Sequence, residues 1–194
     1  MKAETPDKRF SATASVFYLK KENVGVVDSA HQNATGDIRY IPGVSQKAEG
    51  FELDLSGSPI AGVNLIGSYS YTQSQTLENP EDTSQVGQRL GNVPVHKARL
   101  WASYDFPQDT ALGGLSLGGG VRYVSDNRAQ FDTAYILDSY WVADLGAKYT
   151  WRSMTLNLNV YNLFDTHFYE RASNQAIVHP GEPLTVLGRL SMTF

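Results

Sequence analysis

The chain has 194 residues, of which 41% are hydrophobic, it contains no cysteine, and its formal net charge is −4 at pH 7. This length suits one domain of ordinary size, and the composition excludes a disulfide framework, a thiolate metal site and redox chemistry on thiols. The slightly acidic balance gives no indication of a nucleic-acid partner.

Helical membrane segments and export signals are not visible in the sequence. No stretch reaches the ~18 consecutive apolar residues of a membrane helix, so any membrane role requires strands. The first residues, "MKAETPDKRFSATASVFYLKKENV", show no apolar region followed by a small-residue cleavage site, so we expect no signal peptide in this chain.

About eight segments alternate apolar and polar residues with a two-residue repeat, which predicts strands with two chemically different faces. In chain order they lie near residues 9–20, 49–57, 64–73, 97–106, 115–124, 141–151, 156–162 and 186–194. One face carries alanine, glycine and single leucine or valine residues. Aromatic residues gather on it at the strand ends: Tyr104, Phe106, Tyr149, Trp151 and Phe194 at one end, and Tyr18, Tyr71 and Tyr123 at the other.

The opposite face is polar and charged. Its charged residues are Glu52, Asp54, Lys97, Arg99, Arg122, Asp144, Lys148 and Arg189. A soluble β-sandwich, which is the alternative fold, would bury large aliphatic side chains between two sheets. The observed distribution is instead typical of a lipid-facing band with aromatic girdles around a wet lumen.

The connections alternate in length. Short ones are predicted at residues 58–62, 107–114 and 152–153, and long ones at 21–45, 76–94, 126–139 and 165–183. Outer-membrane barrels have short periplasmic turns at one rim and long extracellular loops at the other. We therefore predict an all-β fold: an antiparallel, up-and-down transmembrane β-barrel segment of about eight strands, with its C-terminus on the periplasmic side.

Several stretches carry a family resemblance: "EGFELDLSG", "LGNVPVHKARLWASYDF", "LNLNVYNLFDTHFYE" and the closing "PGEPLTVLGRLSMTF". Together they resemble the C-terminal portion of a TonB-dependent outer-membrane receptor, most similar to the ferric-siderophore branch. The resemblance covers essentially the whole chain. It implies a receptor that binds and imports ferric siderophores through a plugged barrel of 22 strands.

The resemblance also sets expectations for organisation and partners. The plug domain is absent from this sequence, so residues 1–194 are expected to form a single barrel segment that does not transport alone. We expect an unclosed sheet with two unpaired edges, because strands from a wide barrel need not have the tilt of a narrow one. The implied partners are a ferric siderophore, outer-membrane lipid, the barrel assembly machinery and, through the missing plug only, the TonB complex. No cofactor is implied.

Two motifs are interpreted as structural. The apolar alternation of Leu156, Leu158 and Val160 breaks at Asn162, the first residue of the "NLFD" pattern formed by Asn162, Leu163, Phe164 and Asp165. A bulge there would let asparagine and aspartate side chains satisfy backbone groups that leave the sheet. At the C-terminus, Leu190, Met192 and Phe194 resemble the signal that the assembly machinery recognises.

Seven residues are candidates for ligand binding, because iron chelates offer flat, carbonyl-rich and often anionic surfaces to aromatic and basic side chains. They are Arg128, Phe131, Tyr135, His167, Phe168, Tyr169 and Arg171. No family motif fixes any of them as a contact, and ordinary packing of the rim is the alternative for each.

Two other functions are compatible with the sequence. The first is a stand-alone small outer-membrane barrel that serves as an adhesin or structural anchor. The second is an outer-membrane enzyme that uses loop residues such as Asp132 and His167. However, no HExxH, GxSxG or Walker motif occurs, and the glycines at 118–120 lie within a predicted strand. The four histidines, His31, His96, His167 and His179, are scattered, and no metal site is predicted.

Overall fold

The computed structural model of the protein describes residues 1–28, 39–129, 135–174 and 177–193. Its strands are β1 Lys2–Glu4, β2 Phe10–Val27, β3 Tyr40–Gly57, β4 Val63–Glu78, β5 His96–Asp105, β6 Leu115–Val124, β7 Asn127–Arg128, β8 Ile136–Leu137, β9 Tyr140–Trp151, β10 Met154–Tyr161, β11 Tyr169–Asn174, β12 Ile177–Pro180 and β13 Thr185–Met192. A short 3-10 helix spans Thr83–Gln85. Among the described residues, no helix is long and apolar enough to cross a membrane.

Nine strands form one antiparallel sheet, in the order β1-β2-β3-β4-β5-β6-β9-β10-β13. We call this sheet the wall. The pairs β7–β8 and β11–β12 are separate hairpins inserted between wall strands. In the described parts of the chain, β1 and β13 each pair with one neighbour, so the sheet is open. The all-β antiparallel architecture is therefore confirmed, and so is the expected absence of closure.

The two faces of the wall are continuous across its strands. On the apolar face, Leu55 lies opposite Gly67, and Gly67 lies opposite Leu100. On the polar face, Asp54 lies opposite Ser68, and Ser68 lies opposite Arg99. Because side chains alternate between faces, this register places every predicted apolar set on one side.

The buried residues lie near the rim where the long loops are. The buried hydrophobic residues described are Val44, Ala129, Leu137, Val142, Phe168 and Ala172. By contrast, apolar residues on the outer face of the wall stay exposed, such as Leu100 at 52% and Leu190 at 65%. The wall therefore has no core of its own and depends on its backbone hydrogen-bond ladder and on what covers its apolar face.

The three short turns occur where they were predicted, but two predicted loop bounds are wrong. The loop expected at 21–45 is shorter, since β2 continues to Val27 and β3 begins at Tyr40. The apolar alternation fails there because the pairing of β2 and β3 shifts register between Lys21 and Val24. Such irregularities let a ladder continue after its sequence pattern has slipped. The loops at 126–139 and 165–183 contain the hairpins, whose strands are too short to show a period.

The glycines of β6 make room for an inward-facing tryptophan. A Cβ atom at Gly118 would lie 2.8 Å from Trp101 Cζ2, and one at Gly120 would lie 2.6 Å from Trp101 Cε3. Across the next strand, a Cβ at Gly146 would lie 3.3 Å from Trp101 Cη2. These glycines relieve packing within a strand, as the sequence suggested, and the residue that requires them is Trp101 on the polar face.

Candidate ligand-binding site at the long-loop rim

The chain leaves the sheet at Asn162, immediately after β10. Asn162 has a φ of 51° and is 2% exposed. Its side-chain amide donates to the carbonyls of Thr166 at 3.0 Å and Glu182 at 2.9 Å, and its Oδ1 accepts the Thr166 N–H at 2.8 Å. Its own N–H donates to Asp144 Oδ1 at 2.9 Å. One asparagine thus ties both sides of the β10–β13 connection to β9.

Asp165 completes this turn. It has a φ of 50°, its N–H donates to the Asn162 carbonyl at 2.9 Å, and its Oδ1 accepts the Leu184 N–H at 3.0 Å. Leu163 donates its N–H to the Ala143 carbonyl, whereas the Phe164 side chain is exposed. The pairing of β10 shows no register shift along its whole length. The register of Val160 with Leu145 would set Asn162 opposite Ala143, so the Leu163 bond is displaced by one residue, as a bulge at Asn162 predicts. Asn162 and Asp165 then accept the backbone N–H groups of Thr166 and Leu184 where the chain leaves the sheet.

Three long connections form a layer that we call the loop cap. Its described residues are 79–95, 125–129, 135–139, 162–174 and 177–184. Asn92 joins two of the connections, since its Nδ2 donates to the Ala172 carbonyl at 3.2 Å and its Oδ1 accepts the Ala172 N–H at 3.0 Å. Its N–H donates to the Arg128 carbonyl at 2.7 Å. Ala129 and Leu137 pack with Ala172 in a small apolar cluster beneath these bonds.

A cationic and aromatic cluster lies where the wall meets the loop cap. The rings of Tyr140 and Phe168 stack with centroids 4.1 Å apart. The Arg122 guanidinium carbon lies 5.9 Å from the Tyr140 centroid and 5.8 Å from the Phe168 centroid. Phe168 is buried against Gly181, where any Cβ would collide with its ring. Arg122 is thus held by π contacts, and its buried Nε has no hydrogen-bond partner among the described residues.

Two further cations extend this cluster along the polar face. Arg99 lies directly opposite Arg122 in the antiparallel pairing of β5 and β6, and Lys97 lies on the same face of β5. Among the described residues, no ion pair joins any of the three to an acid. Like charges placed directly opposite destabilise a strand pair. Glu52 and Asp54 line the same groove as the three cations and offset part of their charge. A negatively charged group bound directly in front of Arg99 and Arg122 would relieve the repulsion that remains.

The predicted ligand-binding residues fall into separate places. A groove of about 540 Å³ borders the cluster and brings together Tyr135, Tyr140, Trp141, His167, Phe168 and Tyr169. Arg128 is buried within the loop cap, and Arg171 is exposed on β11 and does not line this groove. Phe131 lies outside the described residues. Four of the seven candidates therefore share one groove.

Sequence analysis missed Arg122 and Tyr140 as members of a site. Arg122 belongs to the polar alternation of the segment predicted at 115–124, which assigns a face but no partner, and Tyr140 lies just before the segment predicted at 141–151. The signal that would have found them is the register of β6 with β9, in which Val124 pairs with Tyr140. No group of metal-binding side chains of the kind that holds an ion occurs within the described ranges.

The proposed assembly signal lies on the edge strand. Leu190 and Met192 are exposed on the apolar face of β13, and Phe194 is outside the described residues. Their recognition by the assembly machinery stays a prediction.

Comparisons with known proteins were made by family, sequence and structure. The chain matches the family described as "TonB dependent receptor-like, beta-barrel" over residues 3–163. The metal-pseudopaline receptor CntO of Pseudomonas aeruginosa is 33% identical over 199 residues, which cover 100% of the chain and 27% of that receptor. The catecholate siderophore receptor Fiu of Escherichia coli K12 is 33% identical over 196 residues, 97% of the chain and 24% of that receptor. The chain thus spans about a quarter of the length of these curated relatives.

Solved structures show the same wall. The closed form of the ferric-catecholate import receptor Fiu superposes with a TM-score of 0.74 at 32% identity, over 100% of the chain and 26% of the receptor. The ferric preacinetobactin receptor BauA of Acinetobacter baumannii gives a TM-score of 0.79 at 24% identity, over 97% of the chain and 28% of the receptor, a likeness of fold alone. The family match, together with these relatives, shows that the chain belongs to the TonB-dependent receptor β-barrel family of outer-membrane proteins and corresponds to a C-terminal part of the barrel.

Proposed function

We propose that the chain forms part of the ligand-binding wall of an outer-membrane receptor for ferric siderophores or related anionic metal chelates. The observation that carries this proposal is the cluster of Arg122 with the stacked Tyr140 and Phe168 rings, flanked by Lys97 and Arg99. The named relatives receive a metal-pseudopaline complex and catecholate siderophores. A chelate of this kind presents both negative charge and flat π surface, which are the two features that the cluster can recognise.

Two parts of the site would divide the recognition between them. The three cations stabilise the charge of the chelate, and a charge-assisted bond to a guanidinium is about twice as strong as a neutral one. The exposed rings of Tyr135 and Tyr169 in the neighbouring groove offer surface for stacking or edge contact. His167, also exposed in the groove, adds a further polar contact. In this proposal Arg128 positions the loop cap and does not touch the chelate.

We also infer that the chain does not transport alone. The wall has two edges that do not pair with each other, and unpaired edges are incompatible with a spanning structure in lipid. The chain covers about a quarter of the receptors to which it is related. Its part in transport is therefore to supply one section of a larger barrel wall.

The test is to measure binding of a ferric tris-catecholate, which is anionic, and of a neutral ferric hydroxamate to outer membranes that hold the receptor of which this chain forms part. Arg122→Gln is expected to weaken catecholate binding by about 10-fold or more, because it removes a charge-assisted contact. Arg189→Gln is the matched control, since Arg189 lies on the polar face of β13, outside the cluster. Failure of the protein to bind either chelate, or equal losses in the two variants, would contradict the proposal.

A further inference from the structure

An apolar groove lies on the outer face of the wall, near the rim with the short turns. Its volume is about 380 Å³. Among the side chains that line it are Phe10, Ala12, Leu55, Leu65, Gly67 and Leu100. This volume falls within the usual range of about 300–1,000 Å³ for small-molecule sites. The groove is separate from the cationic cluster, which lies on the opposite face and nearer the other rim.

The groove exists because small residues alternate with large ones along one row of the sheet. Ala12 lies opposite Leu55, Leu55 lies opposite Gly67, and Gly67 lies opposite Leu100. A Cβ added at Gly67 would lie 3.6 Å from Leu100 Cδ1, which is ordinary contact. Packing of the wall therefore does not require glycine at this position, in contrast to Gly118 and Gly120. The absent side chain leaves a furrow that opens toward the surroundings of the barrel.

The position and charge of the groove indicate its occupant. The outer face of this family meets hydrocarbon, and the short turns lie on the periplasmic side, where the membrane leaflet consists of phospholipid. Lys8 lies in the turn between β1 and β2, where its N–H donates to the carbonyl of Thr5, a residue at the groove. Lys8 is exposed and has no ion pair among the described residues, whereas the neighbouring Asp7 and Arg9 pair with each other.

We propose that this groove binds one phospholipid, with an acyl chain along the Gly67 furrow and the phosphate of the headgroup at Lys8. The apolar lining takes the chain out of contact with bulk lipid and holds it against fixed side chains. Lys8 supplies a cation at the depth of the headgroups, the usual place for a lysine at the end of a membrane-spanning element. The bound lipid fills the furrow at Gly67 and so makes the apolar outer face of the wall continuous.

The test fills the groove and counts the lipid that stays bound. The receptor that contains this chain is purified from outer membranes in detergent, washed, and examined by native mass spectrometry for retained phospholipid. In Gly67→Leu, the new side chain occupies the furrow without a backbone conflict, and we expect retained phospholipid to fall at least five-fold. Gly188→Leu is the matched control, because no atom of the described residues lies within 4 Å of a Cβ added at Gly188, which lies across the wall on β13. It is expected to retain as much phospholipid as the wild type.

Three outcomes would overturn the proposal. The first is a wild type that retains no phospholipid after washing, and the second is equal retention by Gly67→Leu and Gly188→Leu. The third is a wild-type dimer that Gly67→Leu abolishes, which would mean that a second copy occupies the groove. Lys8→Gln tests the headgroup contact, and retention that falls in this variant while the Gly188→Leu control is unchanged supports it. Lipid counting requires no siderophore, so its result is independent of the function proposed above.

Discussion

In the wall, apolar side chains point outward and stay exposed, whereas in the loop cap apolar side chains pack on one another. Leu100 on β5 is 52% exposed, but Leu137 in the cap is 3% exposed. The wall obeys a local rule, the two-residue alternation of a strand, and relies on lipid to cover its outer face. The cap is built like a small soluble protein, with buried apolar groups and with backbone groups that the side chains of Asn92 and Asn162 hydrogen-bond. Apolar side chains are thus covered by lipid in the wall and by protein in the loop cap, and the change from one to the other occurs within a few residues of Asn162 and Arg122.

The junction between the two regions should be the most sensitive place in the chain. Asn162→Ala removes the partners of the Thr166 N–H and of two carbonyls in a buried place, and it puts alanine at a φ of 51°. We expect a loss of stability of about 3 kcal/mol or more, since each unsatisfied buried group costs about 1–3 kcal/mol. The measurement is thermal unfolding of the protein in detergent micelles.

Two companions separate the causes of this loss. Asn162→Gly tolerates the left-handed backbone but lacks the amide, so it should remain destabilised if the hydrogen bonds dominate. Asn159→Ala makes the same change on the polar face of β10, where no side-chain bond is at stake, and should stay within about 0.5 kcal/mol of wild type. An Asn162→Ala protein as stable as Asn159→Ala would mean that the junction is not a special point.

Within the wall, the contact of Trp101 with Gly118 and Gly120 tests whether side-chain packing on the polar face contributes to stability. Gly118→Ala places a Cβ 2.8 Å from Trp101 Cζ2 and 3.1 Å from Ser103 Cβ. Overpacking of this kind costs about 1–3 kcal/mol. In a Trp101→Leu background the same substitution should cost less, and a double-mutant cycle on unfolding midpoints measures the difference.

The matched change at an open site is Gly188→Ala, where no atom lies within 4 Å. It is expected to leave stability unchanged or slightly raised, because alanine loses less backbone entropy on folding than glycine. Equal effects of Gly118→Ala and Gly188→Ala, or a cost of Gly118→Ala that persists without Trp101, would show that the ring does not press on the glycines.

The loop cap can be loosened without touching the wall. Asn92→Gly deletes both side-chain bonds to the Ala172 backbone and tolerates the φ of 58° at this position, so the Ala172 N–H loses its acceptor without added backbone strain. We expect its amide hydrogen to exchange about 10-fold faster, equivalent to roughly 1.4 kcal/mol of opening free energy. Asn79→Ala is the control in the same loop, since Asn79 only binds the nearby N–H groups of Glu81 and Asp82. We call the two hydrogen bonds between the Asn92 side chain and the Ala172 backbone the latch. Equal amide exchange at Ala172 in both variants would show that the latch does not hold these loops together.

What the sequence could predict follows from the same contrast. The period of a strand is local, so "LSLGGGVRYV" located β6 at its observed bounds, and the apolar and polar sets fell on the correct faces. The Asn92–Ala172 contact joins residues 80 positions apart, and no local pattern encodes such a pair. Arg122 was assigned to a face but not to a site, because its neighbours depend on the strand register, which sets Arg99 opposite it. Hairpins as short as β7–β8 carry no readable period at all.

The smallest effect should come from protons at the 3-10 turn of the cap. Hydrogen bonds from the Ser84 and Gln85 side chains hold the pKa of Asp82 below its ordinary value of 3.8, and the Ser84 N–H adds a further bond at 3.1 Å. Because the folded-state pKa is depressed, the stabilisation is present above the unfolded-state pKa and is lost as the pH falls through the folded-state value. An NMR titration of aspartate carboxyl carbons should therefore show a midpoint below 3.8 in the wild type.

Ser84→Ala removes the first of those bonds and should raise the Asp82 midpoint toward 3.8, while Asn92→Gly should leave the midpoint in place. The two variants then distinguish a local turn from the latch that joins distant loops. Acid should free the Ser84 N–H before it affects Ala172, since the turn is solvent-exposed and the latch is partly buried. If the Ser84 and Ala172 amides instead begin to exchange at the same pH, the loop cap opens as one cooperative unit. The wall and the loop cap would then unfold as two separate units.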